Sequence, residues 1–492
     1  MQIDYAGSVA TSTVATPPAR AGFDAKRAIK GFALLIAVYL VVVYLIPKPA
    51  AVKPEGWRLT GIFLATIVGS VVEPIPAGAL VLIAITLTAV SHSLTTQQAL
   101  GGYSDPTGWL VLTAFIISRA LIKCGLARRI ALNFVRLFGR SSLGVTYTLA
   151  MSDLVLAGMI PSNGARSGGV ILPIALSISE IYGSKPGATA GLLGSFLMIA
   201  VYQSICITTA MFLTGQASNP LAAKFAEAAG YHHITWLNWL EATIVPGAIS
   251  LMIVPWLVMK LHPPEIKRTP EAPAFAKGEL TKMGPMSRHE RIVAAIFALV
   301  CGLWVSSSWS GIDITQTALI GAVLLLITGM LTWDDVKSEK EAWSVFIWYA
   351  GLLRLGQALG DAGVTKAFAD GVAKQFGHYG WEVLLGVGLL VYFYAHYAFA
   401  SITAHVVSMF PPFLAVLLMQ GGPPGIIVYT FAILANLAAG LTHFGTTPGP
   451  IFFAHGYTTL RVWWRVGLII SFVNLAIWTT IGFAWWKVIG VW

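Results

Sequence analysis

The chain has 492 residues, 56% of them hydrophobic and only 11% charged. A soluble domain carries roughly 25% charged residues, so this composition excludes one. The net charge of +10 is not a nucleic-acid footprint, because no basic, aromatic-interleaved domain accompanies it.

Many apolar runs are long enough to cross a bilayer, so the expectation is an all-α polytopic membrane protein. Cys124, Cys206 and Cys301 sit in or beside apolar segments and read as space-filling residues rather than disulfide partners.

Residues 1–30 are polar and end in Arg20, Lys26, Arg27 and Lys30, which reads as a cytoplasmic tail. The alternative for this segment is a short organellar transit peptide. Spans follow at about 31–46, 57–73 and 76–92. Segments 109–122 and 126–138 are broken by Lys123-Cys124-Gly125. Each is short for a crossing, which predicts a re-entrant hairpin. A span at about 143–160 leads into a polar break at Pro161-Ser162-Asn163-Gly164-Ala165-Arg166, and a helix restarts toward Tyr182. A span at about 187–207 runs into the Gly- and hydroxyl-rich stretch 208–220. An amphipathic piece at 221–235 and a span at about 236–259 close the first half, 31–259.

The segment 260–291 holds Pro263, Pro264, Pro270, Pro273 and Pro285 among seven Lys and Arg residues. A cytoplasmic linker between two halves is expected there. The second half, 292–492, repeats the first. Spans at about 292–308 and 314–332 precede a second broken pair, 343–359 and 364–376. Gly363 answers to Gly125, and Ser401, Ala404, His405 and Pro412 answer to Ser162, Ala165, Arg166 and Pro173. A span at about 424–440 enters Leu441-Thr-His-Phe-Gly-Thr-Thr-Pro-Gly-Pro450, where Gly445 and Pro450 match Gly215 and Pro220. A final span at about 463–488 ends the chain. Paired polar breaks in repeated halves, most commonly inverted, point to a transporter's binding site.

Pro161 stops one helix and Ser162 suits the N-cap of the next. Free N–H groups at a helix start favour a carboxylate or phosphate. Ser401 offers the same device, so two facing termini would hold a molecule with two anionic ends. Arg166 and His405 lie one turn inside and are expected as charge partners of such a ligand. The structural alternatives are an ion pair of Arg166 with Asp153 or Glu180, and an interhelical hydrogen bond for His405. His396 and His443 read as structural, and Arg119, Lys123 and Arg354 as packing charges. Gly215 and Gly445 let the backbone turn or approach a ligand, and Thr214, Thr446 and Thr447 can offer hydroxyls.

These stretches resemble the divalent anion/sodium symporter family of di- and tricarboxylate carriers, over roughly residues 30–490. In that family each half carries a Ser-Asn-Thr motif at a hairpin tip. Here the motifs read Ser162-Asn163-Gly164 and Ser401-Ile402-Thr403. The flanks, Phe399–His405, Leu441–Ile451 and Ala210–Thr214, look most like the exchanger branch. The resemblance implies two inverted repeats, each with a re-entrant hairpin and a broken helix. It also implies an elevator-type homodimer with scaffold and transport domains, exchanging C4–C6 carboxylates. Ser162, Asn163, Gly164, Ser401 and Thr403 would bind the carboxylates, and Thr214, Gly215, Gly445, Thr446 and Thr447 would complete the cavity. Ile402 cannot ligate an ion, and the basic groups at both tips favour sodium-independent exchange. A sodium-coupled symporter or a sulfate carrier is the alternative. No metal or cofactor is expected, and no His-Glu-x-x-His motif points to an enzyme. The expected location is the bacterial inner membrane, with the plastid inner envelope as the alternative.

Overall fold

The computed structural model describes residues 25–492, and the tail read over 1–30 lies outside them as far as residue 24. The first span starts earlier than expected, as helix Ala25–Leu40, and continues through a π turn, Val41–Leu45. Among the described residues, eight helices are long and apolar enough to cross a membrane and no strand occurs.

The helices pack as two groups. One contains the segments before Lys123 and those from Arg288 to Asp361; the other contains Ser142–Leu261 and the segments after Trp381. In the first group, helix Lys340–Asp361 lies against helix Ala77–Val90. A Cβ on Gly351 would stand 2.3 Å from Val81 Cγ1, so only glycine permits that approach.

The re-entrant hairpins lie one element later than expected. Helix Pro106–Lys123 is itself a candidate span. Gly125, at φ +83°, turns the chain into Leu126–Phe138. That helix buries Ala131, Leu132 and Val135 and exposes Arg128 and Leu137, so it is an amphipathic surface helix. The second half copies this with Lys340–Asp361, Gly363 at φ +75° and Val364–Phe376.

The true hairpin is Ser142–Ala157 followed by the helix that restarts at Asn163 and runs to Ile181. Ser142 Oγ donates to Ile266 O at 2.5 Å, and Tyr182 OH accepts from Glu271 N at 2.8 Å. Both ends therefore meet the same linker. The 16-residue first arm is about 24 Å long, short of a full crossing. In the second half, Trp381–Ala395 and Ile402–Met419 pair likewise. At their base, a Cβ on Gly422 would stand 3.4 Å from the Trp381 Cβ.

The halves are inverted. Helix Trp236–Leu261 has 26 residues and spans about 39 Å. Its Leu261 end faces the base of the first hairpin through the linker. Its Trp236 end follows Tyr231, whose hydroxyl lies against Gly425 at the base of the second. The two hairpins thus enter from opposite faces.

The linker is not a simple loop. Helix Glu271–Met283 packs on Leu126–Phe138 with Arg128–Glu279 at 2.7 Å, and Arg129 pairs at 2.5 Å with Glu290 in the first turn of helix Arg288–Val305. Pro270 and Pro273 fit because the first turn of a helix uses none of its own N–H groups.

Candidate functional site

Each hairpin tip ends in a serine-capped helix start. Ser162 has φ −125° and ψ 107°, and its Oγ accepts from Ala165 N at 3.1 Å. Ser401 has φ −145° and ψ 131°, and its Oγ accepts from Ala404 N at 3.5 Å. The extended serine releases its side chain to satisfy an orphan N–H, leaving the other first-turn donors to face a ligand.

The first tip meets the second half's Gly-Thr-Thr turn. Asn163 Nδ2 donates to Thr446 Oγ1 at 2.9 Å. Gly164 is required there: a Cβ would stand 2.7 Å from Thr447 Cγ2. Ser162, Asn163, Gly164, Thr446 and Thr447 therefore form one cluster. Helix Ile402–Met419 packs in turn on Ser218–Ala228, beyond the first half's Gly215 turn. Each tip thus rests on the broken helix of the other repeat.

The two broken helices are superposable in their chemistry at a spacing of 230 positions. A Cβ on Gly215 would meet Thr209 O at 2.5 Å, and one on Gly445 would meet Ala439 O at 2.7 Å. Five carbonyls of the unwound stretches are met by side chains. Asn219 Nδ2 donates to Thr209 O at 2.9 Å and to Phe212 O at 2.8 Å. The matching Ala439 O and Thr442 O accept from Tyr202 OH at 2.7 and 3.1 Å. Gln203 Nε2 reaches Gly440 O at 2.8 Å. Sequence reasoning passed over Asn219, Tyr202 and Gln203, although Tyr202 and Gln203 are polar positions in a helix buried along its whole length.

Arg166 does not face an open cavity. It is fully buried, and its Nε donates to Asp153 Oδ1 at 2.9 Å. Nη1 donates to Ile160 O at 2.6 Å and to Gly215 O at 2.8 Å, and Nη2 to Thr209 Oγ1 at 3.1 Å. Asp153 Oδ2 accepts from Thr208 Oγ1. The ion pair with Asp153, the structural alternative for this arginine, is the geometry found. The expected uncompensated charge at the first tip is therefore absent: Asp153 neutralises it. Arg166 instead ties the tip to the Gly215 turn.

His405 is likewise enclosed. Its ring stacks on Phe399 at 5.1 Å and lies 4.2 Å from the Tyr392 ring. His405 Nδ1 and His396 Nδ1 are 2.9 Å apart, and His396 Nε2 is 2.9 Å from Gly445 O. A carbonyl only accepts, so His396 Nε2 carries a proton; with neutral rings its Nδ1 accepts from His405 Nδ1. His396 thus holds Gly445 O as Arg166 holds Gly215 O.

Thr214 is also engaged: it donates to Gly158 O at 3.1 Å and accepts from Trp236 Nε1 at 3.0 Å. Thr403 is buried just inside the second tip, where Ile402 puts an apolar side chain in place of Asn163's amide. His443 accepts from Trp464 Nε1 at 3.3 Å. Arg119 pairs with Glu339 at 3.7 Å, Lys123 with Asp335 at 2.5 Å and Arg354 with Asp361 at 3.2 Å. One contact was not foreseen: Ser162 Oγ donates to Glu341 Oε1, 3.3 Å away on the other helix group.

Inverted halves, paired re-entrant tips and paired broken helices define a multi-pass membrane transporter rather than an enzyme. Residues 26–492 match the sodium:sulfate symporter transmembrane region, and the chain belongs to that family. Chloroplastic dicarboxylate transporter 1 of Arabidopsis thaliana is 42% identical over 468 residues, covering 94% of this chain and 84% of its own length. Inner membrane protein YbhI of Escherichia coli K12 is 32% identical over 479 residues, covering 95% and 99%. The crystal structure of the Alcanivorax borkumensis YdaH transporter shares the fold, with a TM-score of 0.53 at 13% identity over 94% of this chain and 98% of that one.

Proposed function

We propose that the chain exchanges C4–C6 di- or tricarboxylates, such as malate, succinate, 2-oxoglutarate, tartrate or citrate, without sodium. The dicarboxylate assignment draws on the Arabidopsis relative. The carboxylates are bound at the two helix starts by Ser162, Asn163 and Gly164 on one side and Ser401 and Thr403 on the other. Thr446 and Thr447 line the same space. Arg166, His405, Thr214, Gly215 and Gly445 shape the site from behind. The hairpins and broken helices move as the transport domain of an elevator, against the other helix group as scaffold, in a homodimer.

The observation that carries sodium independence is the Arg166 guanidinium on Ile160 O and Gly215 O. An alkali ion at the first tip needs backbone carbonyls of this kind. Here the Arg166 guanidinium, itself neutralised by Asp153, already occupies them, so an ion at the first tip would have to displace it. At the second tip Ile402 offers no oxygen.

The test is counterflow in proteoliposomes, with a panel of carboxylates and sulfate, in sodium-free buffer. Uptake of labelled dicarboxylate that requires internal dicarboxylate and ignores sodium is the expected result. Strict sodium dependence, or a preference for sulfate, would overturn the proposal in favour of the activities in the family's description.

A further inference from the structure

Glu341 stands apart from every role assigned so far. It lies in the first turn of helix Lys340–Asp361, where the helix dipole favours its negative charge. Its carboxylate also faces a second helix start, the Ser162-capped first tip, and accepts a hydrogen bond from the Ser162 hydroxyl at 3.3 Å. Its neighbour Glu339 is turned to Arg119 at 3.7 Å. Glu341 itself is solvent-exposed, whereas Ser162 is buried.

A serine hydroxyl has one proton. Ser162 Oγ accepts from Ala165 N and has only this one O–H to donate, so the hydrogen bond given to Glu341 is the one a substrate carboxylate needs. Two carboxylates at one helix start repel each other, so Glu341 and a bound carboxylate exclude one another. The partners belong to different helix groups: Ser162 to the hairpin group, Glu341 to the helix anchored on Ala77–Val90.

We infer that Glu341 is a positioning residue: a built-in carboxylate that competes with substrate for Ser162 and ties the first tip to the neighbouring helix group. This deepens the transport proposal and rests on it. With Glu341 on Ser162 the tip is held and the groups resist relative movement. A dicarboxylate that takes the Ser162 hydrogen bond releases the tie. Movement is then coupled to a bound anion, so the unloaded carrier returns slowly and exchange is favoured over net flux. This replaces the uncompensated basic group as the physical cause of exchange, because Asp153 cancels that charge.

The experiment compares the full-length wild type with Glu341→Gln and Glu341→Ala in sodium-free proteoliposomes. It measures labelled malate uptake into malate-loaded and into empty vesicles. A competing hydrogen bond to a charged group corresponds to about a tenfold shift in affinity. The expected result is a KM for exchange lowered about three- to tenfold, with net uptake into empty vesicles rising relative to exchange. Gln keeps the shape and removes the charge, so it carries the test if Ala lowers the yield. An unchanged KM together with an unchanged net-to-exchange ratio overturns the role of Glu341 and leaves the transport proposal standing. A wild type that exchanges no malate or other carboxylate overturns the transport proposal itself.

Discussion

Arg166 shows how one residue type at one position supports two opposed expectations. A basic group beside an anion-binding helix start suggests a ligand clamp. Its neighbours instead form a closed cluster with Asp153, Ile160 O, Gly215 O and Thr209. Breaking a buried ion pair from one side leaves a bare charge, at a cost of about 3–5 kcal/mol. Arg166→Ala and Asp153→Asn are each expected to lower thermal stability in detergent by that order. The double variant should lose clearly less than the sum, because neither charge is then stranded. Additive losses in a double-mutant cycle would show that the pair is not coupled. The sequence offered Asp153 and Glu180 alike as ion-pair partners for Arg166, and nothing local chose between them or between a pair and a ligand clamp; the hairpin turn brings Asp153 to it.

At the scale of elements, polar ties decide where short helices rest. Helix Trp333–Ser338 is fixed to helix Pro106–Lys123 by Lys123–Asp335, and the same carboxylate closes the Thr332 capping box. Lys123 beside it, helped by the Thr332 hydrogen bonds, pushes the Asp335 carboxyl down from 3.8 to about 2. A carboxylate depressed in the folded state adds stability above its unfolded value and loses it as pH falls through the folded one. Thermal unfolding should therefore separate wild type from Lys123→Met at pH 7, and the gap should close as pH falls from about 4 to about 2. A gap that stays constant over that range would remove the ion pair as its cause. The amphipathic helix Leu126–Phe138 carries the complementary lesson. Short apolar segments look re-entrant when length is the only guide. Its alternation of buried Ala131, Leu132 and Val135 with exposed Arg128 marks a surface helix once a partner, Glu271–Met283, is seen.

For the whole molecule, inversion is the consequential feature, because it sets two helix starts of the same polarity against each other from opposite faces. It also makes a topological prediction. Lys277, in the basic linker, and His232, beside the base of the second hairpin, should lie on opposite sides of the membrane. In a variant lacking Cys124, Cys206 and Cys301, a cysteine at 232 should react with an impermeant maleimide on intact cells. A cysteine at 277 should react only after permeabilisation. Labelling of both from one side would exclude the inverted arrangement.

Composition and hydropathy determined that this chain is a helical membrane protein. The spacing of Ser162 against Ser401 and of Gly215 against Gly445 determined that it has two similar halves. Those features are local: a cap, a breaker and an apolar run act on their immediate neighbours. Tertiary structure alone decided which pairs of helices are the hairpins, because that depends on where both ends of each pair dock. It alone closed Asp153 on Arg166 and His396 on His405, turning expected ligand partners into struts. It also brought Glu341 to Ser162 across 179 positions of sequence. Such contacts depend on how distant helices pack, and no local pattern encodes which buried polar groups will satisfy one another.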